Sequence, residues 1–271
     1  MAGLEGTECR TRGCTGADGI TVLTDLQIAR YSRQIILPSV GGRGQQQLLS
    51  AAVAVAGRPE MARVAAVYLA AAGVGQLFLI GEDRAVCNDL ETLNPDSHVR
   101  GVGWPLTDEA VDEIVRQSSA VVCADASPAT VARLGTRCLA VERPVLIGRV
   151  TGAVGEVALV GGGQREGPCF ECFSQTIAAI RAEGADAPRA HNAETAIDVV
   201  LSGVIGGFIG TIIATEVIKL TLNLNSTLAG RRLTYGALSG WMSVDDIMPM
   251  PNCPVCGSRE IGGTGTGADA P

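Results

Sequence analysis

The chain has 271 residues, of which 46% are hydrophobic and 3% aromatic, and its formal net charge at pH 7 is -7. A chain of this length and apolar content can bury a full hydrophobic core, which excludes extensive disorder. The acidic balance gives no electrostatic reason to expect nucleic-acid binding, because such surfaces use Lys and Arg side chains to displace counterions from phosphates. The partners that we expect are therefore proteins or small molecules.

The composition along the chain predicts one domain between two unstructured ends. We expect a flexible leader at 1–22, a single α/β domain at 23–258 and a disordered tail at 259–271, which is rich in Gly and Thr. The leader carries charged residues such as Glu5 and Arg10 and lacks the continuous apolar run of a secretion signal. Export is therefore not expected, and we predict a cytoplasmic protein.

The first half of the domain alternates between helix-like segments and short apolar runs. Asp25 to Ile36 predicts an amphipathic helix that leads into a turn at Pro38 and Gly41-Gly42. Strands that alternate with helices indicate a doubly wound, mostly parallel, Rossmann-like sheet. The predicted strands are 52–56, 76–80, 120–123 and 144–148, and the predicted helices between them are 60–72, 108–117 and 130–140.

The second half predicts antiparallel strands around one long apolar helix. The strands are expected at 155–160 and 232–238, which makes the sheet mixed, and the helix at 199–222. The part of this helix at 199–215 is uncharged, but it is shorter than the ~20 apolar residues of a membrane span and is interrupted by glycines. We therefore favour a buried helix over a membrane element.

Four of the nine cysteines form two pairs with two intervening residues, Cys169/Cys172 and Cys253/Cys256. This spacing lets both thiolates of a pair face one metal at about 2.3 Å, and two pairs complete a tetrahedral shell. Four thiolates leave no open coordination position, so we predict a structural Zn²⁺ site. The alternative is a thioredoxin-like redox pair, which we disfavour because neither pair is predicted between a strand and a helix of the first sheet.

Several of these features together resemble the ubiquitin-activating-type family that includes ThiF, MoeB and HesA. They are the string Arg30-Tyr31-Ser32-Arg33-Gln34-Ile35-Ile36-Leu37, the strand-loop-helix at 53–72, the string Ala71-Ala72-Gly73-Val74-Gly75 and the two cysteine pairs. The resemblance spans residues 23–258. It implies a nucleotide-binding sheet in a homodimer or a pseudo-symmetric heterodimer. It also implies MgATP-dependent adenylation of the C-terminal glycine of a ubiquitin-like or sulfur-carrier protein.

The loop that would hold phosphates departs from the family pattern. Adenylation needs a glycine-rich turn whose backbone N–H groups close on phosphates, and this chain has Gly57-Arg58-Pro59-Glu60 there. Only Gly57 matches. Pro59 has no N–H, and Glu60 places a carboxylate where a polyphosphate would lie, although Arg58 offsets part of that repulsion. We therefore expect ATP and Mg²⁺ to bind poorly.

Other positions that the resemblance marks as nucleotide contacts are partly changed. Gly81 stands where the family has an acidic residue for the ribose hydroxyls, and Glu82 is the candidate substitute. Asn88 stands one position before the family's asparagine, and no lysine occurs before Lys219. Asp125 matches the Mg²⁺-binding aspartate, and its alternative role is an N-cap or turn carboxylate.

The resemblance implies that Arg33 contacts nucleotide phosphates in the other subunit of a dimer. A chain that keeps this arginine while its own loop is altered is similar to the non-adenylating subunit of heterodimeric activating enzymes. The alternative is a surface arginine paired with a nearby carboxylate. By the resemblance, the segment at 181–195 corresponds to the crossover loop over which a substrate's C-terminal tail threads, and we predict it to be an exposed loop.

Three hypotheses follow. The leading one is an impaired subunit, dimeric through the helix at 199–222, that presents Arg33 to the nucleotide site of an intact homologue. The second is a self-sufficient adenylyltransferase with a rearranged pocket of Arg58, Glu82, Asn88 and Asp125. The third is a non-catalytic binding scaffold in which Arg33 has no role.

Overall fold

The computed structural model describes residues 14–15, 21–161, 167–182 and 196–257. The expected disordered tail lies outside the described residues, and so does the predicted exposed loop, except that Arg181 and Ala182 end a helix. Of the expected leader, the structure describes only an antiparallel pair of two-residue strands, Cys14–Thr15 (β1) and Thr21–Val22 (β2).

The predicted N-terminal helix is two short helices, Asp25–Arg30 (α1) and Ser32–Ile35 (α2), which meet at Tyr31. Thr24 and Gln27 form a capping box at the start of α1. The turn expected at Gly41-Gly42 is instead the first turn of a third helix, Gly41–Ser50 (α3). Gly41 has a φ of 59°, a conformation in which glycine has no Cβ penalty, so a residue type that usually indicates a turn begins a helix here.

The central part of the chain forms five parallel strands in the order β5-β4-β3-β6-β7. The cores of β3, β4, β6 and β7 are uninterrupted apolar runs, as expected for strands that are covered on both faces, whereas β5 is an edge strand in which only Val99 is buried. The predicted strands and helices of this region are all present, and the strand β5 and the helix α5 were not predicted. The elements are β3 (Ala52–Gly57), α4 (Pro59–Ala72), β4 (Gln76–Ile80), α5 (Arg84–Leu93), β5 (His98–Val102), α6 (Asp108–Gln117), β6 (Ala120–Ala124), α7 (Pro128–Ala140) and β7 (Pro144–Thr151).

Three antiparallel strands extend this sheet beyond β7, which gives eight strands in the order β10-β9-β8-β7-β6-β3-β4-β5. The mixed sheet that the sequence predicts is thereby confirmed. The elements of this region are β8 (Val154–Gly161), α8 (Phe170–Ala182), α9 (Ala196–Thr221), β9 (Arg231–Gly236) and β10 (Trp241–Asp246).

Helices cover both faces of the sheet, α3, α4, α5 and α9 on one face and α6, α7 and α8 on the other. Val200–Thr221 is long and apolar enough to cross a membrane by length and composition alone. One face of this helix is nevertheless fully buried, with Ile209 and Ile213 inside the core. Gly148 makes this packing possible, because a Cβ there would lie 2.4 Å from the Met61 sulfur and 2.7 Å from Ile213. The helix therefore packs as the core helix that the sequence predicts.

Candidate functional site

The chain reverses its direction across the sheet between β3 and β6. From β3 the next strands, β4 and β5, lie on one side, whereas β6 and β7 lie on the other. Ligands of doubly wound sheets bind outside the carboxyl ends of the strands at such a switch point. Here those carboxyl ends bring Gly57, at the end of β3, next to Asp125, which follows β6.

Gly57 is required by the close approach of two strand ends. Its φ is 139°, and a Cβ on it would lie 1.9 Å from the Ala124 carbonyl oxygen. The next amide, that of Arg58, donates to the same oxygen over 2.8 Å. The glycine that matches the family pattern therefore has a structural role that does not depend on a nucleotide.

The loop after Gly57 is a tight strand-to-helix turn. Arg58 is the N-cap of α4, without a side-chain capping bond, and Pro59 is its first residue. Proline suits this position because the first amide of a helix has no intrahelical partner. Met61 donates its amide to the Arg58 carbonyl oxygen over 3.2 Å. Of the first three amide positions of α4, one therefore has no hydrogen and another is already bonded.

The carboxylates near this turn face the arginine of the same turn. The Arg58 Nε lies 3.7 Å from Glu60 Oε2 and 3.7 Å from Asp125 Oδ2, on a side chain that is 67% exposed. Asp125 has a φ of 52°, unusual for a residue with a Cβ, and its Oδ1 accepts the Val150 amide over 3.3 Å. The N-cap of α7 is Ser127, so the alternative N-cap role of Asp125 is wrong and its role in the turn remains.

The three residues after β4 each have a partner within the chain. Gly81 has a φ of 91° and donates its amide to Val102, and the Asp83 carboxylate caps α5. Glu82 accepts two hydrogen bonds from Arg63 on α4, 3.0 Å from Nε to Oε1 and 2.9 Å from Nη2 to Oε2. The hydrogen bond to Glu82 raises the pKa of Arg63. The sequence gives no local signal for this pair, because its two residues are 19 positions apart.

Asn88 is not brought into contact with the other predicted pocket residues. It lies on an exposed face of α5, where its side-chain oxygen accepts a hydrogen bond from Arg84 Nε over 3.1 Å. Its position among nucleotide contacts therefore stays a prediction from the resemblance.

Arg33 is exposed on α2 and forms no ion pair with any residue in the described part of the chain. Tyr31, two positions earlier, is 1% exposed and fixes this helical segment to the domain. Its hydroxyl accepts a hydrogen bond from Asn94 over 2.9 Å and donates to Asp96 over 3.0 Å. Burial raises the pKa of Tyr31 to about 12. Arg33 is thus held outward on an anchored segment.

The four paired cysteines form one buried cluster whose sulfur atoms all lie within 4.8 Å of one another. The sulfur separations include 3.8 Å for Cys169 and Cys172, 3.6 Å for Cys169 and Cys253, and 3.5 Å for Cys172 and Cys256. A tetrahedral ion with metal–sulfur bonds of about 2.3 Å requires sulfur separations of about 3.8 Å. The cluster therefore fits a metal ion.

The surroundings of the cluster correct one argument from the sequence. Cys169 comes directly before α8 and Cys172 lies in its first turn, and this helix follows the antiparallel strand β8, whereas the sequence predicts neither pair between a strand and a helix of the first sheet. The support for a metal comes instead from the sulfur distances. The sulfur atoms of different pairs lie as close together as the two sulfur atoms of the pair Cys169/Cys172. The Met250 amide also donates to Cys172 Sγ over 3.4 Å, as is common for a metal-bound thiolate.

Comparison with known proteins gives a consistent set of relatives. A family model described as the ThiF family matches residues 84–255, a range that begins after the loop at 57–62. The SAMP-activating enzyme E1 of Haloferax volcanii is 32% identical over 261 residues, covering 87% of this chain and 91% of that protein. The sulfur carrier protein ThiS adenylyltransferase of Escherichia coli is 28% identical over 261 residues, covering 87% of this chain and 97% of that protein.

Solved structures share the fold at lower identity. The E. coli MccB structure with ATP superposes with a TM-score of 0.63 at 17% identity, covering 84% of this chain and 73% of that chain. The PaaA structure gives a TM-score of 0.66 at 17% identity, covering 86% of this chain and 88% of that chain. At this identity the likeness concerns the fold alone.

Proposed function

The chain belongs to the ThiF family, and we propose that it serves the adenylation or sulfur loading of a carrier protein as a subunit whose own nucleotide site is impaired. The names of the relatives support the carrier-protein part of this proposal, since they include adenylyltransferases of sulfur carriers and an activating enzyme. The observation that carries the impaired part is the turn Gly57-Arg58-Pro59-Glu60, in which α4 starts two residues after the strand ends.

The residues at this edge do not fit a MgATP polyphosphate. Pro59 offers no donor, the Met61 amide is bonded, and Glu60 would face the phosphates. The chain has a single lysine, Lys219, and it pairs with Glu216 near the C-terminal end of α9 over 2.8 Å. We therefore assign no catalytic step to an ATP bound in this chain.

Exposed apolar side chains around Arg33 support its use by a partner. Leu26, Ile36 and Leu37, on or beside α1 and α2, are 64%, 77% and 48% exposed. Contiguous exposed apolar surface commonly marks an interaction site. We propose that an intact homologue covers this surface and receives Arg33 in its nucleotide site. A homodimer of this chain is the alternative partner for the surface, without that role for Arg33.

For the cysteine cluster we propose a structural Zn²⁺ held by Cys169, Cys172, Cys253 and Cys256. When bound, the ion would join the C-terminal segment to the start of α8 and supply no open coordination position for chemistry. The thiolates would accept further hydrogen bonds from backbone amides such as that of Met250.

The decisive experiment is a calorimetric titration of MgATP into the isolated protein, together with reconstitution. We expect no micromolar binding to this chain. With a homologue that has the intact glycine loop, we expect pyrophosphate exchange to increase on addition of this chain and to fall with Arg33→Ala. Arg116→Ala is the matched control, because Arg116 is an exposed arginine paired with Glu113. Micromolar MgATP binding to the isolated chain would contradict the proposal.

A second candidate function is a self-sufficient adenylyltransferase. It is favoured by the retention of Gly57 and Asp125 at the switch point of the sheet. Pyrophosphate exchange by this chain alone, with a carrier protein that ends in Gly-Gly, would identify it. If reconstituted activity is unchanged by Arg33→Ala, the remaining hypothesis is a non-catalytic scaffold. The cytoplasmic location stays a prediction under all three.

A further inference from the structure

We propose that Arg63 prevents a ribose from binding at the carboxyl end of β4. It does so because it holds the Glu82 carboxylate in a bidentate ion pair. The inference rests on the proposed loss of nucleotide binding and names a residue that enforces it. Arg63 and Glu82 would act on the ribose of a nucleotide, whereas the altered turn at 57–60 would act on its phosphates.

The position of Glu82 is the reason to consider a ribose. In doubly wound sheets, an acidic residue after the strand that follows the first helix hydrogen-bonds the ribose hydroxyls. Here that strand is β4, and the segment after it is Gly81-Glu82-Asp83. Gly81 has no side chain, and Asp83 accepts the Val86 amide as the N-cap of α5. In this segment, Glu82 is therefore the residue whose carboxylate could accept hydrogen bonds from the two hydroxyls of a ribose.

Arg63 already donates a hydrogen bond to each oxygen of the Glu82 carboxylate. Its two hydrogen bonds measure 3.0 Å and 2.9 Å, and the Glu82 side chain is 8% exposed while that of Arg63 is 49% exposed. The guanidinium thus lies on the solvent side of the carboxylate. A bidentate pair between two charged groups is stronger than the hydrogen bonds of neutral hydroxyls, so a diol does not displace it.

The other arginine of the site does not have this role. Arg58 lies 3.7 Å from each of its two carboxylates and is 67% exposed, which is a loose arrangement beside that of Arg63. Arg84 provides a matched control, because it begins α5 two residues after Glu82 and its side chain donates a hydrogen bond to Asn88 instead. Removing Arg84 changes the local charge equally but leaves the Arg63–Glu82 pair intact.

The test uses neutral nucleosides, so that the phosphate loop does not affect the result. Adenosine and 2′,3′-dideoxyadenosine are titrated into the full-length wild-type protein and into Arg63→Ala, Arg63→Gln and Arg84→Ala. We expect Arg63→Ala to bind adenosine about tenfold or more tightly than the wild type does, since a charged acceptor is freed for two hydroxyls. Arg63→Gln, which retains part of the side chain and a hydrogen-bond donor without the charge, should show a smaller gain in adenosine affinity, and Arg84→Ala none.

The dideoxynucleoside shows whether the gain comes from the ribose. Arg63→Ala should bind 2′,3′-dideoxyadenosine no more tightly than the wild type does. The double variant Arg63→Ala/Glu82→Ala should lose the increase in adenosine affinity that Arg63→Ala shows. Thermal melting of each variant verifies folding, and Arg63→Gln serves if Arg63→Ala does not fold. Equal adenosine affinities for wild type and the Arg63 variants, or an equal gain for the dideoxynucleoside, would overturn the inference. Micromolar MgATP binding to the wild type would instead overturn the proposed function.

Discussion

Arg232 and Glu156 form an ion pair inside the sheet, with Nη1 and Oε1 2.8 Å apart and with side chains that are 2% and 4% exposed. Asp245 on β10 lies 3.3 Å from the other terminal nitrogen of Arg232. The three residues belong to β9, β8 and β10, so the pair joins the antiparallel extension of the sheet. A buried charge that loses its partner is costly, whereas a pair replaced as a whole is often neutral.

We predict that Arg232→Met lowers the free energy of unfolding by about 3–5 kcal/mol, because it removes the arginine that neutralises the buried Glu156 carboxylate. Arg232→Met/Glu156→Met should recover most of this loss, because it replaces the whole pair with apolar side chains. Urea unfolding followed by circular dichroism measures both. The control is Arg231→Met, whose side chain is 51% exposed and pairs with Asp246 at the surface, and which should cost less than about 1 kcal/mol. Equal losses for the two single variants would contradict the prediction.

The anchoring of the Arg33 segment predicts a dependence on alkaline pH. The pKa of Tyr31 rises from 10.0 to about 12 on folding, chiefly because of its burial. A raised pKa means that the contribution of Tyr31 to stability is complete below pH 10 and is lost as the pH rises through about 12. The wild type should therefore lose more stability than Tyr31→Phe between these two values.

Denaturant titrations of both proteins at a series of pH values from neutral to strongly alkaline measure this difference. Tyr31→Phe itself should cost about 1 kcal/mol at neutral pH, because the hydrogen bonds to Asn94 and Asp96 are lost. Tyr68→Phe is the control, since Tyr68 is 50% exposed. Parallel pH profiles for the wild type and Tyr31→Phe would show that the Tyr31 hydroxyl is not buried in this way.

The cysteine cluster predicts a single tightly held zinc ion. Metal analysis of the purified protein should find it, and Cys253→Ser should remove it and lower the melting temperature by on the order of 10 °C. Cys138→Ala is the control, because Cys138 is a buried cysteine outside the cluster and its loss should leave the metal content unchanged. Metal-free protein with disulfides in place of thiols would favour the redox alternative.

The sequence predicts the central sheet closely because each of those strands is a short apolar run bounded by glycine or polar residues. Gln76–Ile80, for example, is observed with the predicted bounds. The edge strands carry a weaker signal. In β5, only Val99 is buried, and in β10 the outward residues of Trp241–Asp246 are exposed, so neither resembles a buried strand. The cysteine site was likewise predictable, because its spacing is a local feature.

The ion pairs of the candidate site were not predictable from the sequence. The sequence predicts only that Arg63 belongs to a helix, and it gives Glu82 as a candidate substitute for the ribose-binding carboxylate, whereas the two side chains pair with each other. The two side chains come together only in the folded chain, where α4 contacts α5, the helix that begins just after Glu82. Pairs of this kind depend on tertiary geometry, whereas capping boxes and cysteine pairs depend on local spacing.

A last prediction concerns the proposed dimer contact on α9. Val200, Val204 and Phe208 lie four positions apart and are 69%, 70% and 37% exposed, so they form an apolar stripe along the helix, whose Phe208 end packs on Tyr235 of β9. We predict that Val204→Glu gives a monomer, because it places a charge in an apolar contact, without lowering the melting temperature of the monomer.

Light scattering coupled to gel filtration, with the protein alone and with an intact homologue, measures this effect. Met248→Glu is the control, since Met248 is 71% exposed and lies after β10, away from the stripe. A valine so exposed contributes little to the core, so a loss of association with unchanged stability assigns the stripe to an interface. An unchanged oligomeric state in Val204→Glu would instead locate the dimer contact elsewhere, with the apolar side chains around Arg33 as the next surface to test.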